Sequence, residues 1–306
     1  MSSYIIILLS TYNGEKYLKE QLDSLFDQTC KEFKVIVRDD GSTDGTLGIL
    51  NSYDLEIMPS SKNLGARDSF GTLLEYALQK DDKEYIMFCD QDDVWKKNKI
   101  DKTLQKMKEV EKEGKQAVLI HTDLVVVDES LQVLNNSFWD YQNLNPKNSN
   151  FSHFVIQNNI TGCSVMINKK LAKLALPIPK ETIMHDWWLG LVASKFGKIA
   201  YLNEPTILYR QHLANDTGAK RFDIRFLAQN AKKTYKNRKQ MFDKYIIQAK
   251  KFLEVYQNQL DEETIKMLKD FSNIKSNSWW NRFMILKKYK LFKQDFWRNI
   301  GFLFSV

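Results

Sequence analysis

Tyr4-Ile5-Ile6-Ile7-Leu8-Leu9-Ser10-Thr11-Tyr12-Asn13-Gly14 opens with an unbroken β-prone run and stops at a polar segment. Apolar residues on both faces of a strand place it inside a parallel sheet covered on both sides. The segments downstream repeat the theme. Leu18, Leu22, Leu25 and Phe26 mark one stripe of a helix, and Phe33 to Val37 reads as a second buried strand. That strand ends at Arg38-Asp39-Asp40-Gly41-Ser42-Thr43-Asp44-Gly45-Thr46, a turn rich in capping residues that opens another helix. A short strand over Leu55 to Met58, helical spacing over Phe70 to Leu78 and a strand over Tyr85 to Cys89 follow. The last runs into Asp90-Gln91-Asp92-Asp93, after which Ile100, Leu104, Met107 and Val110 form the next helical stripe. This alternation predicts an α/β fold: a Rossmann-like, mostly parallel sheet with helices on both faces and ligands outside the carboxyl ends of its strands.

Composition bounds the class. The chain has 306 residues, 43% hydrophobic and 27% charged, which is the ordinary globular range. Its apolar runs, such as Tyr4 to Leu9 and Ala117 to Ile120, are far shorter than the ~18–20 residues of a transmembrane helix. The Met-Ser-Ser start lacks the basic flank and longer apolar core of a secretory signal, so a cytoplasmic location is expected. Cys30, Cys89 and Cys163 are isolated, which points to small buried residues rather than disulfides or a zinc site.

Charge separates the two ends of the chain. Residues 221–306 hold 19 Lys+Arg against 8 Asp+Glu, a net of +11, which leaves residues 1–220 at −4 of the overall +7. After the β-like run Thr206 to Arg210 the pattern turns to lysine-rich helical periodicity, with Phe242, Tyr245, Ile246, Ala249, Phe252, Leu253 and Tyr256 on one stripe. An α/β domain over 1–220 and a basic helical region over 221–306 are expected, with the boundary near 216–225.

Three carboxylates within the four residues Asp90 to Asp93 repel one another unless water or a cation separates them, and hard oxygen ligands select Mg²⁺ or Mn²⁺. A solvated acidic turn, with Asp93 capping the next helix, is the alternative. Asp39-Asp40 ends another strand of the same sheet, so both acidic clusters are expected on one cleft.

The segments Leu9 to Gly14, Arg38 to Thr46, Asn63-Leu64-Gly65 and Asp90 to Asp93, in order and spacing over about residues 4–215, resemble the inverting family 2 glycosyltransferases of GT-A fold. Phe88 to Trp95, His185-Asp186-Trp187-Trp188 and Tyr209-Arg210-Gln211-His212 are most similar to bacterial rhamnosyltransferases of polysaccharide synthesis. The resemblance implies a nucleotide-diphosphate sugar donor, dTDP-L-rhamnose by preference, with a UDP-hexose as first alternative. It places Thr11, Tyr12, Asp39, Asn63, Asp90 and Arg210 at the nucleotide, Asp92 and His212 on Mg²⁺ or Mn²⁺, and Asp186 as the general base. Family members usually carry an acid before that base, where this chain has His185. Gly162, His185, Trp187 and Trp188 would wall the acceptor and sugar pocket, with at least one of the two tryptophans in the core. A nucleotidyltransferase should show a glycine-rich basic loop early in the chain, which Ser10 to Gly14 does not offer; a non-catalytic sugar-nucleotide module is the third reading.

Near the end, Arg282, Lys287, Lys288, Lys290, Lys293 and Arg298 are interleaved with Trp279, Trp280, Phe283, Phe296 and Trp297. Such a mixture suits a helix in an anionic membrane interface, on the inner face of the cytoplasmic membrane, with a glycan or lipid-linked acceptor. A helix packed on the catalytic domain with a solvated lysine face is the alternative. Nucleic acid is disfavoured by the acidic front. If the membrane reading holds, truncation after about residue 276 should spare nucleotide binding, provided the removed helix does not cover the core.

Overall fold

In a computed structural model describing residues 5–60, 62–80, 84–112, 114, 116–212, 231–303 and 306, the first strand, β1 (Ile5–Thr11), is buried throughout except at Ser10. It pairs in parallel with β2 (Phe33–Asp39) on one side and with β4 (Tyr85–Cys89) on the other; β2 also carries β3 (Glu56–Ile57). The alternation of a strand sends Ile5, Ile7 and Leu9 to one face and Ile6 and Leu8 to the other. The first set packs under α1 (Leu18–Phe26) and α4 (Lys99–Glu111), the second under α3 (Gly65–Lys80), α7 (Lys169–Ala175) and α8 (His185–Phe196). The helical stripe expected from Leu18, Leu22 and Leu25 is the buried face of α1. Between α1 and α3, α2 (Thr46–Leu50) is a single short turn of helix.

Beyond β4 the sheet is mixed. The short β8 (Met166–Asn168) lies antiparallel between β4 and β6 (Ala117–Val127), and β6 pairs in parallel with β9 (Gly197–Arg210). Two residues, β5 (Val94–Trp95), close the edge antiparallel to β9, while β7 (Val133–Asn135) pairs with β6. The register Val94↔Leu208 and Trp95↔Ile207 draws the acidic turn after β4 alongside the end of β9. Thr11 lies opposite Asp39 in the β1–β2 register, so the loops after β1, β2, β4 and β9 share one edge of the sheet.

The α5 (Phe138–Gln142) and α6 (Phe151–Ile156) helices lead into α7 and α8. The helix Ala231–Tyr256 buries Phe242, Tyr245, Ala249, Phe252 and Tyr256 in the same apolar cluster as Phe154, Trp187 and Trp188. The helices Glu262–Ser272, Trp279–Lys288 and Phe296–Leu303 add Phe271, Leu286 and Phe302 to it. The boundary expected near 216–225 lies outside the described residues. No described helix is long and apolar enough to cross a membrane.

Candidate active site

The loops after β1 and β2 are sewn together by side chains. Asn13 Oδ1 accepts from Thr43 N (2.8 Å), Ser42 Oγ from Asn13 N (2.8 Å), Thr46 Oγ1 from Gly14 N (2.8 Å) and Glu15 Oε2 from Gly45 N (2.9 Å). At the bottom of this seam Asp39 is buried. Its Oδ1 accepts from Thr11 Oγ1 (3.0 Å) and Ser42 Oγ (2.6 Å), and its Oδ2 from the amides of Gly41 (3.1 Å) and Ser42 (2.8 Å). A carboxylate has about four lone-pair sites, and all are taken. A further donor would therefore reach Asp39 only by replacing a hydroxyl donor, Thr11 or Ser42. Asp40 is fully engaged, in an ion pair with Arg38 and as acceptor from the amides of Leu64 and Gly65 at the start of α3. Asn63 Oδ1 accepts from Gly65 N (3.1 Å), so the structure places it on this turn. Tyr12 is half exposed beside the seam.

Gln91, which the sequence reading passed over, joins this seam to the acidic turn. Its Oε1 accepts from Tyr12 N (2.8 Å) and its Nε2 donates to Tyr12 O (3.0 Å). A Cβ on Gly14 would lie 2.4 Å from that oxygen, which accounts for glycine there.

Asp92 Oδ2 lies 2.8 Å from His212 Nε2, across 120 residues of sequence. The imidazole stacks on Tyr17 at 4.8 Å, and the Arg210 guanidinium covers the same ring at 4.6 Å. Arg210 also donates to the Asp92 carbonyl (2.8 Å) and pairs with Glu20. It is a buried brace of the acidic turn. Asp93 does not cap a helix, because α4 begins after Asn98. Its Oδ1 accepts from Arg210 N (3.1 Å), tying β9 to the turn.

One carboxylate and one imidazole already in contact are a donor set that fits Mn²⁺ and tolerates Mg²⁺, with Asp90 beside them in sequence. A second group, Asp90, Asp93 and Cys163, has its donor atoms within 4.8 Å of one another. It fits less well. Burial first, then the neighbouring carboxylates, push the Asp93 carboxyl and the Cys163 thiol well above their ordinary pKa, which favours neutral forms. Beneath them Lys99 Nζ is fully buried without a hydrogen-bond partner, held over the Trp95 ring at 4.6 Å. Burial lowers its pKa to about 8.

The turn Gly162–Ser164 links this cluster to the start of α8. A Cβ on Gly162 would lie 2.9 Å from His185 Nε2 and 3.7 Å from the Asp186 Cβ. His185 is buried between Phe70 (4.3 Å) and Phe88 (5.3 Å), and neither ring nitrogen has a partner. Burial drops its pKa to about 3, so the ring is neutral and can both donate and accept. Asp186 stands in the first turn of α8 with its carboxyl pushed up to about 7 by burial. Its Oδ1 accepts from Trp187 N (2.6 Å), while Asn158 Nδ2 approaches Oδ2 at 3.3 Å. Asn158 is itself clamped by the amide and carbonyl of Ile160.

The two tryptophans do not face a pocket equally. Trp188 is fully buried, donates to the Ala175 carbonyl (2.9 Å) and packs on Phe252 and Tyr256. It is core, and its place in the sugar pocket is withdrawn. Trp187 donates to the Phe154 carbonyl (2.6 Å) and rests on Tyr245, leaving 8% of its surface exposed.

A family model described as "Glycosyl transferase family 2" matches residues 6–175. The dTDP-rhamnosyl transferase RfbG of Shigella flexneri is 30% identical over 233 residues, 69% of this chain and 74% of that protein. Among solved structures, Staphylococcus aureus TarS in complex with UDP-GlcNAc superposes with a TM-score of 0.56 at 16% identity, covering 99% of this chain and 79% of that one. A mannosyltransferase of Pyrobaculum calidifontis in complex with GDP-Man and Mn²⁺ gives 0.51 at 14% identity, covering 98% and 85%.

Proposed function

The chain belongs to glycosyl transferase family 2 and is a glycosyltransferase, and from that premise we propose that it transfers L-rhamnose from dTDP-L-rhamnose, with inversion, to a hydroxyl of a glycan or lipid-linked acceptor in polysaccharide synthesis. The observation that carries the site is the Asp92–His212 contact, formed where β5 pairs with β9, next to the seam that holds Asp39. The rhamnose donor rests on the likeness to RfbG. A UDP-hexose is the second reading, favoured by the likeness to TarS, whose solved complex holds UDP-GlcNAc. Uracil and thymine both present an N3–H, so Asp39 does not separate them.

Asp92 and His212 would hold the divalent cation, which when bound offsets the charge that develops on the departing diphosphate, with Asp90 facing the nucleotide or a water on the metal. The chain's own groups do the rest. Asp39 and Thr11 take the base, and the Arg210 brace holds the turn that carries Asp92. Asp186 receives the proton of the acceptor hydroxyl on Oδ2, with Asn158 fixing the plane of the carboxylate. A pKa raised to about 7 by burial makes that carboxylate a stronger proton acceptor than an ordinary aspartate while leaving it partly ionised at neutral pH. The unpartnered, neutral His185 stands next to it as a hydrogen-bonding group for a sugar or acceptor hydroxyl. Peripheral contact with an anionic membrane surface belongs to the same reading.

Donor turnover tests it. Incubation with dTDP-L-rhamnose and with UDP-hexoses, each with Mn²⁺, should release the nucleoside diphosphate fastest from dTDP-L-rhamnose. Faster release from a UDP-hexose would replace the donor and leave the reaction class intact. Binding without release from any donor, acceptor extracts included, would favour the non-catalytic module.

A further inference from the structure

The helix Trp279–Lys288 is held to the tail by one side only. Leu286 is fully buried, and Arg282 donates to the carbonyls of Asn277 (2.8 Å), Lys275 (2.7 Å) and Val306. The opposite side carries the large rings. Trp279 is 59% exposed, Trp280 62% and Met284 45%, and Phe296 at the start of the last helix is 71% exposed. Trp279, Trp280 and Phe283 pack against one another, with centroids 5.9–6.4 Å apart and the Trp279 and Phe283 rings stacked. A helix that packed its apolar face inward would hide these residues and expose its lysines. Here both face solvent, since Lys287, Lys288 and Lys290 are exposed at the C-terminal end of the same helix. The one acid between residues 277 and 303, Asp295, accepts from Asn143 Nδ2 (2.6 Å) and from the Arg298 amide (3.1 Å).

We propose that the face formed by Trp279, Trp280, Phe283 and Met284, with Lys287 and Lys290 beside it, is a docking surface for an anionic lipid bilayer. It names the contact surface of the membrane reading above and rests on that reading. Aromatic rings with a polar edge settle at the depth of lipid headgroups, and flanking lysines gain from the negative surface potential. A second copy of this chain fits worse, because an isologous contact would set lysine against lysine. A neutral glycan would leave the lysines unanswered. The helix is already folded and fixed by Arg282, so docking orders little new chain.

Flotation of the full chain with phosphatidylcholine vesicles, pure or containing about one third phosphatidylglycerol, is the test. Binding is expected to the anionic vesicles only and to fall as salt rises from about 0.05 to 0.5 M. Trp279→Ala/Trp280→Ala should weaken it at least about tenfold. Lys287→Gln/Lys290→Gln should weaken it about fivefold per lysine. Trp95, Trp139, Trp187 and Trp188 are buried, so quenching by bilayer-embedded brominated chains that disappears in the tryptophan variant reports the docked rings. Nucleotide binding with Mn²⁺, measured on the same variants, should be unchanged; its loss in the parent chain would sink the transferase reading without touching the docking result. Binding indifferent to lipid charge, no binding, or full binding by the tryptophan variant would overturn the proposal. So would self-association or retention on a neutral polysaccharide that the same variant abolishes in the absence of vesicle binding.

Discussion

Asp186 carries two consequences of one burial. Its carboxyl titrates near 7 in the folded chain against an ordinary 3.8, so the folded form holds the proton over the interval between. Stability from this group is complete below pH ~4 and is lost as pH rises through ~7. Asp186→Asn should therefore melt with the parent chain near pH 4 and above it from pH ~7 upward, while losing transfer by about 10²–10⁴ with donor binding kept. Parent transfer should rise with pH through a limb near 7, read from the rate profile. Melting curves that stay parallel across pH would move the ionisation elsewhere, and near-normal transfer by Asp186→Asn would move the base. Gly162→Ala places a methyl 2.9 Å from a His185 ring that Phe70 and Phe88 hold on two sides, and a loss of ~1–3 kcal/mol in denaturant melts is expected. Residue types and spacing, helped by the family resemblance, were enough to single out Asp39, Asp92, Asp186 and His212. The burial of Cys163 was legible, but its meeting with Asp90 and Asp93, the buried Lys99 and the separate part of Asp93 were not, because contact across the sheet sets them. Trp187 and Trp188 show the same limit: adjacent helix positions point about 100° apart, and sequence does not say which side is covered.

Loops, rather than strands, hold the nucleotide end together. Gln91 makes a two-bond bridge to the Tyr12 backbone, and each bond contributes about 0.5–1.5 kcal/mol. Because Gln91 is partly exposed, Gln91→Ala should lower the melting temperature by only a few degrees and should weaken nucleotide binding by about tenfold in calorimetry. A matched loss of stability would make Gln91 a fold residue instead. The strands β1 and β4 could be read as buried runs because their apolar stretches are unbroken, and β2 because only Lys34 interrupts its run from Phe33 to Val37. The strand β6 and the first part of β9 escaped that reading, while the end of β9, Thr206 to Arg210, was read as β-like. His121, Thr122 and Asp123 sit in the middle of β6, where the register with β9 shifts, and in β9 the short run Ile199 to Leu202 is cut off from Thr206 to Arg210 by Asn203, Glu204 and Pro205. At three residues, β8 is too short to show a period, so the antiparallel insertion between β4 and β6 left no trace in the pattern.

At the scale of the whole molecule, the tail is part of the core that supports α8. Its stripe from Phe242 to Tyr256 was legible from helical spacing, but its partner, the face bearing Trp188, was not. Removing residues after 276 would strip Leu286, Tyr289, Leu291 and Phe302 from the shared cluster. At about 1.5–3 kcal/mol for each large side chain, the truncated chain should lose on the order of 5 kcal/mol or more, seen as a much lower melting temperature. The condition attached to truncation sparing nucleotide binding, that the removed helix does not cover the core, is not met. The account stands or falls on the cleft where β4 and β9 end. Calorimetry of thymidine or uridine diphosphate with Mn²⁺, repeated with chelator and with Asp92→Asn, addresses it most directly. Tight binding that chelator removes and that Asp92→Asn weakens at least about tenfold is the predicted result. Affinity unchanged by chelator and by Asp92→Asn would contradict the assignment of Asp92 and His212 and the mechanism built on them.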